Sequence, residues 1–144
     1  MRTLRDLLHG RELNRVYSSI SVLDAAKFLV SHNTGTCAVF ESTRLVGVFS
    51  ERDLLRRVVA FGRNPAQTAV MDVMTRDPVI ATVDETLDSC LLKMTRARCR
   101  HLPVFEGDRY LGMISMRDVM DADADELRGE IQELREYVAG SQVA

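Results

Sequence analysis

The chain has 144 residues, 46% of them hydrophobic and 28% charged, with only three prolines, so it forms one sizeable core or two small halves and is not mainly disordered. Nineteen Lys and Arg against twenty-one Asp and Glu leave a net charge of −2, which provides no global positive field for nucleic acid or an anionic membrane. The longest apolar stretches, such as Val16 to Val30, are broken by Ser18, Ser19, Ser21, Asp24 and Lys27 and fall short of a membrane span. The start, Met1 to Asp6, lacks the apolar core of a signal peptide, so a cytoplasmic location is expected.

In chain order, Val16-Tyr17-Ser18 opens a strand, Val22 to Val30 is helical and His32 to Gly35 is a loop. Thr36 to Phe40 and Leu45 to Phe49 form a hairpin, and a second helix runs from Ser50 to Phe61, ending at Gly62. Arg63 to Gln67 is a polar linker before a short helical segment through Val70, Val73 and Met74. Pro78 to Val83 is β-branched after a proline and reads as an extended lead-in strand. Asp84-Glu85-Thr86 caps a helix whose face is Leu87, Leu91, Met94 and Ala97. Leu102 to Phe105 and Tyr110 to Ile114 make a second hairpin around Glu106-Gly107-Asp108, and another helix starts at Ser115. Beyond Asp121, the acidic Asp121, Asp123, Asp125 and Glu126 suit an emerging helix, and Leu127, Ile131, Leu134 and Val138 recur on one face. That stripe is expected to cover the parent core, with dimerisation as the other use.

His32 to Leu55 lies over Ala97 to Met120 without a gap, pairing Val39 with Val104, Gly47 with Gly112, Ser50 with Ser115 and Asp53 with Asp118, a shift of 65 residues. The fold class is therefore α+β: two tandem β-α-β-β-α repeats packed around a pseudo-twofold axis, plus an amphipathic C-terminal helix. The divisions are 1–62 for the first repeat, 63–74 for the linker and short helix, 75–120 for the second repeat and 121–144 for the helix and tail.

The strings Gly47-Val48-Phe49-Ser50-Glu51-Arg52-Asp53, Arg100-His101-Leu102-Pro103-Val104 and Gly112-Met113-Ile114-Ser115-Met116-Arg117-Asp118, in this element order, resemble tandem CBS domains. The family takes its name from cystathionine β-synthase, and the pair is called a Bateman module. The resemblance implies a free-standing regulatory module, not an enzyme. It implies sensing of an adenosine compound between the halves: AMP, ADP or ATP as a regulatory ligand of the kind used in energy sensing, or NAD(H) or S-adenosylmethionine. Each cleft would borrow the lead-in strand of the opposite half, so Asp118 would work with Tyr17, Ser18 and Ile20, and Asp53 with Thr75, Val79 and Ile80. Ile114 joins the nucleotide-binding set by the same resemblance, and a homodimer is implied.

On the residues themselves, a serine three positions before an aspartate at a strand-to-helix turn sets a hydroxyl and a carboxylate beside unpaired backbone N–H groups. Ser50 with Asp53 and Ser115 with Asp118 either hold a ribose diol or simply cap their helices, and both roles are compatible. Arg100 and His101 stand at a strand mouth where cations hold phosphate or merely face solvent. Their counterparts are Gly35 and Thr36, so the Asp118 cleft is expected to be the better phosphate binder. Val79 and Ile80 offer an adenine slot or core packing. Cys37, Cys90 and Cys99 read as small buried hydrophobes, and Met71, Met74, Met113, Met116 and Met120 as core and interface filler. His9 and His32 lack ligand-spaced partners, so no metal is expected, and no phosphate-cradling loop or nucleophile elbow occurs. The competing expectation is a ligand-free dimerisation module whose tail helix recruits an effector protein.

Overall fold

Thr3 opens the first helix through a reciprocal cap: its Oγ1 accepts from the Asp6 N–H at 3.2 Å, and Asp6 Oδ2 accepts from the Thr3 N–H at 2.9 Å. The computed structural model describes residues 2–141, so residues 142–144 of the expected tail lie outside the described residues. Helix α1 (Leu4–Leu8) leads to β1 (Arg15–Tyr17), α2 (Val22–Ser31), the hairpin β2 (Thr36–Glu41) and β3 (Arg44–Ser50), and α3 (Glu51–Asp53). Short turns then lead to β4 (Thr75–Arg76) and β5 (Ala81–Thr82), followed by α4 (Leu87–Ala97), the hairpin β6 (His101–Glu106) and β7 (Arg109–Ser115), and α5 (Met116–Ser141).

Each half makes the same three-stranded arrangement, to which the first half adds β4 beside β3. β1 runs parallel to β2, which is antiparallel to β3; β5 runs parallel to β6, which is antiparallel to β7. The helices after the lead-in strands begin at Ser21 and Thr86, whose side chains accept from the Asp24 and Ser89 N–H groups at 3.0 and 3.1 Å.

The segments that precede the two repeats are exchanged. Leu4 and Leu8 of α1 bury in the second core with Ala81, Leu87, Met94, Leu102 and Ile114, and Val70, Val73 and Met74 bury in the first with Val22, Leu29, Val39 and Phe49. Two glycines permit these crossings. A Cβ on Gly47 would lie 2.6 Å from the Thr75 carbonyl oxygen, so β4 can pair with β3 only over a glycine. Gly112, at φ +135°, faces the Leu8 methyl in the same way, where a Cβ would lie 3.2 Å from it.

The halves meet in a third cluster of Ala38, Phe40, Tyr110 and Met113, with Leu45, Val48 and Phe105 around it. Phe40 and Phe105 are repeat equivalents, and both rings tilt against Tyr110 at centroid distances of 5.2 and 5.5 Å. Such a self-complementary patch is what a pseudo-twofold axis produces.

Four expectations change. The helix expected at Ser50–Phe61 makes one α-turn and then widens into π-turns over Leu54–Val59, with Ala60 N–H donating to Leu55 and Arg63 N–H to Val58, both at 3.0 Å. The lead-in strand of the second half is regular only at Ala81–Thr82. Asp121 to Glu126 do not sit at a helix start, because α5 already begins at Met116 on the cap made by Ser115. The apolar stripe of α5 does not cover the parent core, since only Val119 and Ala122 of this helix are buried. Met74 and Met113 are core filler, whereas Met71 and Met120 are exposed; Cys37 and Cys90 are fully buried, and burial pushes their thiols up to about 12 and about 11.

Candidate ligand-binding cleft

The β7-to-α5 turn carries Ser115 and Asp118 as a closed cap. Ser115 N–H donates to Asp118 Oδ2 at 2.8 Å, and Asp118 N–H donates to Ser115 Oγ at 3.0 Å. The carboxylate then faces Arg11, whose Nη1 and Nη2 donate to Oδ2 and Oδ1 at 2.8 and 2.9 Å. This fork on a carboxylate is the strong bidentate form of a charge-assisted hydrogen bond. Partial burial alone would raise the Asp118 pKa, but the hydrogen bonds from Arg11 and Ser115 outweigh it and hold the carboxyl below the usual range.

Around this pair opens a cleft of about 530 Å³, lined by Arg11 to Asn14, by the loop His32 to Gly35, and by His101, Met113, Ser115 and Asp118. Its walls come from both halves. His101 Nδ1 lies 3.3 Å from Thr36 Oγ1, a contact between repeat equivalents across the axis. Burial lowers the His101 pKa despite the opposing pull of Asp118. Asn14 is fixed in the wall, with Nδ2 donating to the Thr36 carbonyl at 2.6 Å and its backbone carbonyl accepting from the buried Tyr110 hydroxyl at 2.9 Å. His32 stacks on Phe28 at 4.0 Å between centroids and lies 3.5 Å from Glu12. A second cavity, about 380 Å³, lies between α1, α4 and α5 and mixes Arg2 and Arg5 with Asp84, Asp88, Asp123 and Glu126; it presents no paired carboxylate and imidazole.

The equivalent carboxylate of the first half is closed over. Asp53 Oδ2 accepts from the Ser50 N–H at 3.0 Å and from the Ser50 hydroxyl at 3.1 Å, while Oδ1 accepts from the Thr75 hydroxyl at 3.2 Å. Arg57 Nε stands 3.7 Å from the same Oδ1, and its Nη1 donates to the Met74 carbonyl at 2.8 Å. Asp53 is buried, with 7% of its surface exposed.

Of the residues singled out in the sequence, Asp118, Ser115 and His101 come together on the cleft, and Thr75 meets Asp53 across the exchanged lead-in. Arg100 is exposed and does not line the cleft. The Ile114 side chain is fully buried in the second core. Tyr17, Ser18 and Ile20 do not line the Asp118 cleft: Tyr17 is exposed, Ser18 is buried with its backbone carbonyl accepting from the Met71 N–H at 3.2 Å, and Ile20 packs on the first core. Val79 and Ile80 are each 40% exposed and so are not core filler. The residue missed is Arg11. Leu4-Arg5-Asp6-Leu7-Leu8 lies over Val70-Met71-Asp72-Val73-Met74 at a shift of 66, which extends each lead-in further back and puts Arg11 where the other half has Asp77. The cation beside Asp53, Arg57, comes from its own helix and not from the strand mouth.

The CBS domain family model matches residues 3–60 and 70–125. A mitochondrial CBS domain-containing protein of Arabidopsis thaliana, CBSX3, is 37% identical over 127 residues; these cover 83% of this chain and 61% of that protein, so the chain spans about three fifths of its relative. The CBS-domain protein ATU1752 from Agrobacterium tumefaciens superposes with a TM-score of 0.77 at 34% identity, over 85% of this chain and 99% of that one. PAE2072 from Pyrobaculum aerophilum, solved in complex with AMP, gives 0.72 at 25% identity over 82% of this chain and 89% of that one. With its two repeats matched and packed as a pair, the chain belongs to the CBS domain family.

Proposed function

We propose that this protein is a regulatory sensor that binds an adenine nucleotide, AMP, ADP or ATP, in the Asp118 cleft. The observation that carries the reading is a partly exposed carboxylate, held by a cap and faced by Arg11 and His101, in a cleft between the halves. A cleft of about 530 Å³ falls within the ~300–1,000 Å³ usual for small-molecule sites. The AMP complex of PAE2072 supports the ligand class.

The chemistry follows from these groups. A ribose diol donates both hydroxyls to a carboxylate, so the sugar competes with the Arg11 fork for Asp118. Arg11, displaced, remains beside the ligand as a planar donor for phosphate oxygens. His101, protonated as an anion arrives, adds a second cation. The ligand thus exchanges an internal ion pair for contacts between α5, β6 and the segment after α1, and it shifts the shape of the pair only by its differential affinity for two states. The module passes its state to a separate effector protein or to its own oligomer and catalyses nothing. Among the described residues no helix is long and apolar enough to cross a membrane.

Isothermal titration with AMP, ATP, NADH and S-adenosylmethionine tests the reading. Saturable heat with the adenine nucleotides supports it, a response to NADH or S-adenosylmethionine alone reassigns the ligand, and silence from all four removes it.

A further inference from the structure

The C-terminal part of α5 is a helix without a body beneath it. From Leu127 to Ser141 every residue is exposed, yet Leu127, Ile131, Leu134 and Val138 are large and apolar. An isolated helix of this length is marginal in water, and Gly129 and Gly140 weaken it further. Something must cover the stripe.

The pattern identifies the cover. Met120, Ala124, Leu127, Ile131, Leu134 and Val138 alternate by four and three residues, which is a heptad seam with Ala124, Ile131 and Val138 at a and Met120, Leu127 and Leu134 at d. β-branched residues at a with leucine at d favour two strands in parallel. The flanking charges agree: Asp123 and Glu130 occupy g, and Arg128 and Arg135 occupy e. In a parallel pair, g of one helix faces e five residues on in its partner, which sets Asp123 against Arg128 and Glu130 against Arg135, opposite signs both times. An antiparallel pair would set e against e and g against g, which for these four residues sets Arg against Arg and acid against acid.

The body leaves this seam open. Val119 and Ala122, buried in the second core, and Asp125, 3.5 Å from Arg2, hold the opposite face of the helix at positions c, f and b. In the single chain Arg128 is held by Asp125 at 3.2 Å, and Arg135 has no ion-pair partner among the described residues. We infer that α5 forms a parallel two-stranded coiled coil with α5 of a second copy of this chain. The dimer places both CBS pairs at one end of a common stalk, independently of what fills the cleft.

Sedimentation equilibrium of the full chain, with charge exchange, tests this. Glu130→Arg or Arg135→Glu alone puts like charges across both sides of the seam and weakens the dimer about tenfold, whereas the two together restore it. Ser141→Cys, at the next d position, should give an oxidised dimer beyond any formed by the parent chain, because only parallel helices bring the two 141 positions together; antiparallel ones leave them about 30 Å apart. A monomer at every concentration, single exchanges without effect, or no added cross-link would each overturn the inference.

Discussion

The Asp118 cleft and the closed Asp53 site are built from the same serine and aspartate, spaced alike, at the same strand-to-helix turn, and they differ in what arrives from the exchanged lead-in. At Asp53 it is Thr75, a short hydroxyl that seals the carboxylate, with Arg57 behind it; the side chain is 9% exposed. At Asp118 it is Arg11, a long fork that reaches in from the cleft wall, and the side chain is 22% exposed. A helix cap is common to both sites. On the proposed reading, the residue that crosses over from before the other repeat decides whether a ligand can share the capping carboxylate.

This contrast can be broken at its base. Gly47→Ala sets a Cβ against the Thr75 carbonyl oxygen at 2.6 Å, displaces β4 and should destabilise the fold by about 3 kcal/mol in urea titration. Asp53→Ala removes a cap and leaves the Thr75 hydroxyl without its acceptor, a loss of about 2 kcal/mol in the same measurement. Arg11→Ala sharpens the other side. It frees the Asp118 carboxylate and removes the proposed phosphate donor, so the affinity ratio of AMP to adenosine should fall about tenfold by calorimetry. An unchanged ratio would leave Arg11 as a purely internal partner.

The smallest effect is on pH. Burial depresses the His101 pKa, so the folded state favours neutral imidazole. His101 therefore contributes stability above its ordinary pKa, ~6.5, which is lost as pH falls through the lower folded value. A bound phosphate raises that pKa again. Nucleotide affinity should consequently rise a few fold as pH falls from about 8 to about 6, with proton uptake, and His101→Gln should flatten the profile. The Asp118 carboxyl, held low, stays ionised throughout this range.

Much of this fold was legible because the repeat is local and ungapped: both hairpins, both capped helices and both Ser-x-x-Asp turns are written in strings that align at one shift. The exchange of lead-ins is implied for both halves by the family resemblance, and of the pairs it implies Thr75 with Asp53 is the one that meets. Arg11 was hidden because its segment aligns at a shift of 66, one residue out of step with the hairpins, and its partner is 107 residues away. The extended segment through Val79 and Ile80 has the right residue types for a strand, but β5 extends only over Ala81 and Thr82. The stripe on α5 was correctly placed on one face; periodicity alone does not say which way that face points, and Val119 and Ala122 turn it outward.

The most direct test is calorimetric titration of AMP into Asp118→Ala and Asp53→Ala beside the parent chain. Loss of binding in the Asp118 variant, with affinity kept in a folded Asp53 variant, is the expected result. Equal losses in both, or full affinity without the Asp118 carboxylate, would contradict a single open cleft.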